Sequence, residues 1–370
     1  TLHSTTEKVK NMNGRNLMIA VLSVFMGLMM AWDATVHEYP VPDKSFVIIE
    51  PNVDRLPPLY YKEVFYDEEW NCTIKNLEEE HSKPYIPDED FAMRIILDVY
   101  EKKSGKNRIV QQKIERRMLL VDKDALPPQD TIQVYLPKGD YQVLAWADYV
   151  YKDNPVDRFY QTDMLTSIKT NTDIYPVNTH HRSTAVGQEM FTVGSDFGPN
   201  SFSFEESGNF SSMVIPVMME RPSGRYRVIA SDFDDFIRAG GELEGLTVKV
   251  IYKQYIGVGY NVESRKPNLF TTMYSFNTTP SQIVYDGKEA VSLFGDYLFT
   301  DWENETNILA DFYFFDASGT EISHCQNIEI PLKRNHETVL RGFFLTRKIG
   351  DGNNVNIDDN FGGEYVVEIN

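Results

Sequence analysis

Beyond residue 45 the chain reads as short runs in which apolar and polar residues alternate, separated by turn-forming clusters. In FAMRIILDVY, Phe91, Met93, Ile95, Leu97 and Val99 fall on one face of a strand, with Arg94 and Asp98 on the other. In TIQVYLPKGDYQVLAWADYV, Ile132, Val134 and Leu136 alternate up to a turn at 137–140, where Gly139 supplies backbone freedom, and a second strand runs on from Tyr141. That spacing predicts a hairpin with a four-residue loop. MVIPVMMERP and RYRVIAS predict another strand pair, and LTVKVIYKQY places Leu246, Val248, Val250 and Tyr252 on one face. ILADFYFFDASGTEISHCQNIEIPL predicts two strands about a turn at 316–319, and TVLRGFFLT and GEYVVEIN close the chain as strands. One segment departs from this period. SDFDDFIRAGG predicts a helix capped by Ser231 or Asp232, with acidic residues in its first turn, Arg238 in its last and Gly240 at its end. Many short strands with a single short helix predict an all-β chain built of sandwiches.

The N-terminal stretch is different in kind. Residues 17–32, LMIAVLSVFMGLMMAW, are apolar and uncharged, and Lys8, Lys10 and Arg15 precede them. A basic start, an apolar stretch and a small residue, Ala31, near its end predict an export leader over 1–31. The stretch is short for a membrane span, which takes about 20 apolar residues. DATVHEYPVPDKS, with Pro40 and Pro42, predicts an extended tether over 32–45. Gly, Ser and Asn crowd residues 194–212, so the domains are expected at 46–200 and 211–370.

Charge narrows the function. The 370 residues carry 36 Lys+Arg against 55 Asp+Glu, a net charge of −19, which repels nucleic-acid backbones and anionic membranes. The aromatic share of 13%, with 21 Tyr and 22 Phe, suits half-buried pleated surfaces. Cys72 and Cys325 are too few for a disulfide scaffold and are expected to be free, buried thiols.

No pattern for catalysis emerges. The adjacent His180 and His181 point opposite ways in an extended chain and are expected to be solvated loop residues. His324 beside Cys325 lacks the spacing of a metal or thiolate site. GVGYNV at 257–262 lacks the third glycine of a dinucleotide loop, and DGNNVNIDDN from Asp351 has its glycine at the second rather than the sixth position of a calcium loop. Glu68/Glu69 and Asp234/Asp235 read as solvated faces. The chain is therefore expected to have no enzymatic activity, metal or cofactor. Trp146, Tyr149, Tyr151 and Trp302 are candidates for stacking on a carbohydrate or host ligand, and the competing reading makes them core or cross-strand partners.

Four stretches in a fixed order resemble one family, the fimbrillin-like surface proteins of Bacteroidales-type fimbriae, especially their lipoprotein anchor and minor subunits. They are DATVHEYP after the leader, YQVLAWADYV with FYQTDMLTSIKTNTDIYPVNTHHRSTAVGQEMFTV, MVIPVMMERPSGRYRVIASDFDDFI, and IEIPLKRNHETVLRGFFLT with VNIDDNFGGEYVVEIN. The resemblance implies two transthyretin-like β-sandwich domains in tandem, export to the outer membrane or fimbrium, and a role in fimbrial assembly and adhesion. It also implies that other fimbrial subunits are partners through strand addition. An exposed sheet edge is a ready template for such pairing. Trp32 stands after Ala31, where the lipid-bearing cysteine of those lipoproteins is expected, so the sequence as written cannot be acylated there. The reading from another class is a surface module that binds carbohydrate or a host ligand.

Overall fold

The structure is a computed structural model that describes residues 44–82, 90–104, 109–121, 131–173, 175, 180–194, 212–280 and 291–347. The leader, the tether up to residue 43, Ala31, Trp32, most of the expected boundary at 194–212, the DGNNVNIDDN run and the closing GEYVVEIN lie outside the described residues.

Twenty strands, numbered in chain order, form five sheets among the described residues. Sheet A has the order β11 (Ser212–Met219), β1 (Lys44–Val53), β6 (Ile132–Pro137). Sheet B has the order β10 (Ala185–Val193), β7 (Gly139–Tyr151), β4 (Phe91–Ser104), β5 (Ile109–Val121). Sheets A and B enclose one core, in which Val47, Ile49, Val134, Val217, Leu97 and Val143 are buried. Sheet C has the order β17 (Val291–Phe299), β12 (Ser223–Ala230), β20 (His336–Gly342), β2 (Leu59–Tyr66), β3 (Cys72–Asn76). Sheet D has the order β16 (Tyr274–Thr278), β13 (Thr247–Tyr252), β18 (Thr306–Phe315), β19 (Glu321–Leu332). Between C and D lies a second core, with Tyr226, Val228, Phe294, Phe312 and Phe344 buried. The all-β expectation of two sandwiches holds.

Sheet E, in the order β15 (Lys266–Thr271), β14 (Ile256–Asn261), β9 (Ile168–Thr170), β8 (Tyr160–Gln161), joins the two. Its residues Tyr160, Ile168 and Tyr260, with Val262 just after β14, pack with Ile96, Leu144, Trp146 and Val186 of sheet B and with Phe299 of sheet C. Sheet B is thus covered on both faces. Arg94 and Asp98, on the polar face of the β4 pattern, are only 3% and 0% exposed for this reason. A period of two separates the faces of a strand, and a second layer of protein decides whether the polar one meets water.

The sandwiches also share strands. The early strands β2 and β3 complete sheet C, where β2 runs parallel to β20, while the later β11 lies parallel to β1 in sheet A. Two expected pairs are therefore not pairs. β6 bonds to β1 and β7 to β4 and β10, so the turn at 137–140 carries the chain from one sheet of the sandwich to the other. The hydroxyl of Tyr141 donates to the Pro137 carbonyl at 2.8 Å and pins that corner. β11 and β12 likewise belong to different sandwiches. The turn at 316–319 does join β18 to β19, as expected, with the Asp316 carboxylate accepting from the amides of Ser318 and Thr320 at 2.8 and 2.9 Å.

The helix α1, Phe233–Arg238, forms where expected, and Gly240 ends it at φ +91°. Asp232 occupies the N-cap position without making a side-chain cap bond. Its carboxylate instead accepts from the amides of Leu345 and Thr346 at 2.8 and 2.7 Å and ties the helix to the segment after β20.

Candidate functional site

The first sandwich is sewn shut along one side and open along the other. On the closed side, Val186 and Glu220 exchange two backbone hydrogen bonds, 2.8 and 2.9 Å, which stitch β10 to the end of β11. Gly187 lets the strands meet. A Cβ there would lie 2.5 Å from the Met218 carbonyl oxygen. On the far side, sheet A ends at β6 and sheet B at β5, and neither strand has a second partner among the described residues.

The two sheets are unequal at that side. Sheet A has three strands and sheet B four, so among the described residues no strand faces β5. The inward residues of β4, Ile95, Leu97 and Val99, are at most 2% exposed. Their register partners on β5 are Leu119, Arg117 and Glu115, of which Leu119 and Glu115 are half-buried and Arg117 is exposed. Arg117 and Glu115 pair with each other at 2.8 Å, in water's reach. On the other face and along the edge, Ile114, Met118 and Leu120 are exposed. β6 alternates strictly, with Ile132, Val134 and Leu136 buried and Gln133 and Tyr135 exposed. The edge is held firmly. β5 pairs with β4 along its length, and Arg116 lies 3.5 Å from the buried Asp98 and donates to the Asp163 carbonyl at 2.7 Å. Burial pushes the Asp98 carboxyl up, while Arg116 and Lys113 oppose that shift.

Among the described residues this leaves a gap one strand wide, with the outer backbone edge of β6 on one wall and the inner face of β5 as its floor. An edge of this kind can pair with an extended segment. Pairing with the six residues of β6 makes about six backbone hydrogen bonds, worth about 3–9 kcal/mol net. Ordering six residues costs about 6–12 kcal/mol. Backbone pairing alone does not suffice, so an incoming strand must also bury apolar side chains over Leu119 and beside Val134 and Leu136.

The four stacking candidates converge on the core between the sandwiches. Trp146 is fully buried there, edge-on to Tyr160 at 5.3 Å and near Phe299 at 6.4 Å, so its ring presents no face to a ligand. Tyr149, Tyr151 and Trp302 pack against the same cluster and are half-buried. Tyr149 meets His181 edge-on at 5.5 Å, and Tyr151 lies 4.5 Å from Phe91 under the Arg158 guanidinium at 4.3 Å. Trp302 carries two guanidinium groups, Arg334 at 4.2 Å and Arg265 at 4.6 Å.

Two smaller expectations, for His181 and for Cys72, change. His181 is not a solvated loop residue. It is buried in a short turn, His180–Arg182, and stacks on Phe91 at 3.9 Å. Cys72 and Cys325 are both free, but only Cys325 is buried. His324 bonds Glu321 at 2.6 Å rather than acting with its neighbour Cys325. Glu68, Glu69, Asp234 and Asp235 are exposed, as expected. Among the described residues no three His, Cys, Asp or Glu side chains gather as metal ligands, and no helix is long and apolar enough to cross a membrane.

Sequence reasoning missed a buried polar network that fastens the 180–182 turn to sheet C. Arg182 pairs with Asp296 of β17, whose carboxylate also accepts from the hydroxyls of Tyr175 and Tyr252 at 2.8 and 2.7 Å and from the Tyr297 amide at 2.7 Å. Tyr252 in turn meets Tyr226 at 2.7 Å. Burial pushes the Asp296 carboxyl up against the pull of Arg182 and the tyrosines. An acidic residue with glycine and tyrosine around it, FGDYLF, carries no periodic signal that would have singled it out.

The chain belongs to a family of unknown function, DUF6562, which it matches over residues 71–370. No curated protein matches it. Among solved structures it is similar to a protein proposed to bind polysaccharides (DUF1812) from Bacteroides thetaiotaomicron VPI-5482. That pair shares 13% identity and a TM-score of 0.38, covering 76% of this chain and 80% of the other. It is also similar to a proposed adhesin from Bacteroides ovatus, at 12% identity and TM-score 0.36, covering 80% and 87%. A third is the fimbrial anchor protein Mfa2 from Porphyromonas gingivalis, at 10% identity and TM-score 0.36, covering 76% and 82%.

Proposed function

We propose that the protein is an exported, non-enzymatic fimbrial subunit or anchor/accessory protein that acts in fimbrial assembly and cell adhesion. Other fimbrial subunits join it by adding a strand in the slot between β5 and β6. Residues 1–31 direct export, 32–45 form a tether, and two units at 46–200 and 211–370 project from it, each lending strands to the other's sheets. The protein acts at the outer membrane or within the fimbrium, with attachment to the membrane depending on a lipid that Trp32 does not carry.

The single observation behind this reading is the inequality of sheets A and B. Among the described residues three strands face four, and the edge of β6 that has no partner there borders inner-face positions on β5, of which Leu119 and Glu115 are half-buried and Arg117 is exposed. An added strand turns unpaired backbone into hydrogen bonds and covers that floor, which is how strand addition gains affinity. The test is to delete the gene in its host, image fimbriae, and restore it with either the parent or Val134→Asp. Fimbriae altered in number, length or attachment, rescued by the parent and not by the variant when both fold, are expected. Unaltered fimbriae on the deletion strain defeat the proposal.

A further inference from the structure

Sheet A has a second apolar face. Strands β1 and β11 carry unbroken apolar runs, FVII at 46–49 and MVIPVMM at 213–219, in place of the strict alternation of β6. Runs of that kind belong to strands covered on both faces. Val47, Ile49, Ile215 and Val217 turn inward and are buried. Their neighbours turn outward: Phe46 and Ile48 on β1, Val214, Pro216 and Met218 on β11, with Tyr135 of β6 beside them. The register makes these one patch, since Phe46 lies opposite Tyr135 and Ile48 opposite Val214. The Phe46 and Tyr135 rings are 5.3 Å apart. Tyr135 is 61% exposed and Met218 65%, Pro216 is exposed, and the other three are half-buried. Among the described residues no second layer of sheet or helix lies on this face. Single exposed apolar residues are ordinary, whereas a contiguous apolar patch marks a surface that something covers.

The chain just before β1 fits that face. β1 is the middle strand of sheet A, so the chain enters the sheet at its centre, at the end where Phe46 and Tyr135 lie. Pro42 and Asp43, directly before β1, are turn formers of the kind that reverse a chain. Upstream of them Trp32, Val36, Tyr39 and Val41 supply apolar side chains. Residues 32–43 extend up to about 40 Å, while the face from Phe46 to Asn52, the partner of Met218, is about 20 Å long, so the segment spans it. Pro40 and Pro42 favour an extended backbone, the form in which proline-containing segments dock on aromatic rings. A segment joined to β1 by one turn also meets the face at a high effective concentration. A second copy instead brings the same net charge of −19 and is repelled. The Gly-, Ser- and Asn-rich run at 194–212 has the composition of a link and reaches the sheet only at its edge strand β11.

We propose that residues 32–41 fold back over the outer face of sheet A and cover Phe46, Ile48, Tyr135, Val214, Pro216 and Met218. The tether then leaves the first sandwich at the far end of β1, which fixes how the sandwich stands on whatever holds Trp32. The inference rests on the tether reading of 32–45 and not on strand addition between β5 and β6, so the two fail separately.

The test is hydrogen peroxide footprinting of the full chain, read by tandem mass spectrometry. Met218, Met190 and Met273 have similar exposures of 65%, 66% and 61%, so a bare face predicts similar oxidation rates. Met218 is expected to oxidise about tenfold more slowly than the other two at every protein concentration, the factor for a face covered about nine-tenths of the time. Val36→Asp with Tyr39→Asp sets two charges against the apolar face and should return Met218 to the rate of Met190. Val36→Ser with Tyr39→Ser should do so in part. Met219 is 1% exposed and stays unoxidised while the sandwich is folded, so it reports folding in every sample. Where the Asp pair opens the core, the Ser pair decides. Equal rates in the parent, or slow oxidation of Met218 that a folded variant does not relieve, would overturn the proposal. Slow oxidation that disappears when the parent is diluted would overturn it as well, because a second copy would then be the cover.

Discussion

Arg182→Ala is the most exacting perturbation of the join between the sandwiches. Its guanidinium and the Asp296 carboxylate are 4% and 0% exposed, so the substitution leaves a buried carboxylate without its cation. Breaking a buried pair this way costs about 3–5 kcal/mol. Three donors remain on Asp296, from Tyr175, Tyr252 and the Tyr297 amide, which places the cost toward the lower end. At about 2–4 °C per kcal/mol, the expected fall in Tm is at least about 6 °C. Adding Asp296→Asn removes the stranded charge while keeping an acceptor for the tyrosines, so the double variant should recover part of the loss. Differential scanning calorimetry of parent, single and double variants makes the comparison. A single variant within about 2 °C of the parent, or a double variant that melts lower than the single, refutes the reasoning, since it would mean the charge is solvated or paired elsewhere.

Three further outcomes follow from the packing and the charges. Gly187→Ala places a methyl against the Met218 carbonyl at the sewn side of the first sandwich and should cost about 1–3 kcal/mol, read by denaturant unfolding. Trp146→Ala empties a fully enclosed site and should cost about 3–5 kcal/mol without changing any glycan binding measured by calorimetry. Burial lowers the pKa of His336 below its ordinary 6.5, so the imidazole favours its neutral form in the fold. Its contribution is complete above the unfolded value and is lost as pH falls through the folded one. The drop in Tm from pH 7.5 to pH 5 should therefore be smaller in His336→Gln than in the parent.

The strands were legible because alternation records which side of each one is buried. β4, β6, β13 and the β18–β19 pair lie where period two places them. Partners were less legible. The turn at 137–140 has the length of a hairpin loop, yet in a sandwich a turn of that length also carries the chain between facing sheets, and local sequence does not distinguish the two. Trp146 offered a clue that its ring is enclosed. It stands in VLAWA, an unbroken apolar run of the sort found in strands covered on both faces, and residues 141–148 of β7 are all buried. The open side of the first sandwich had no such signal. It arises from how many strands each sheet gathers, and β11 reaches sheet A from beyond the expected boundary.

The central claim, that this open side receives a strand from another subunit, is tested most directly by hydrogen exchange with and without a purified neighbouring subunit. The account predicts that backbone amides of β6 slow in the complex, that Leu119 and its neighbours on β5 slow with them, and that the sewn β10–β11 side does not change. Protection confined to sheets C and D, or a stable complex that leaves β5 and β6 exchanging as in the free protein, would contradict it.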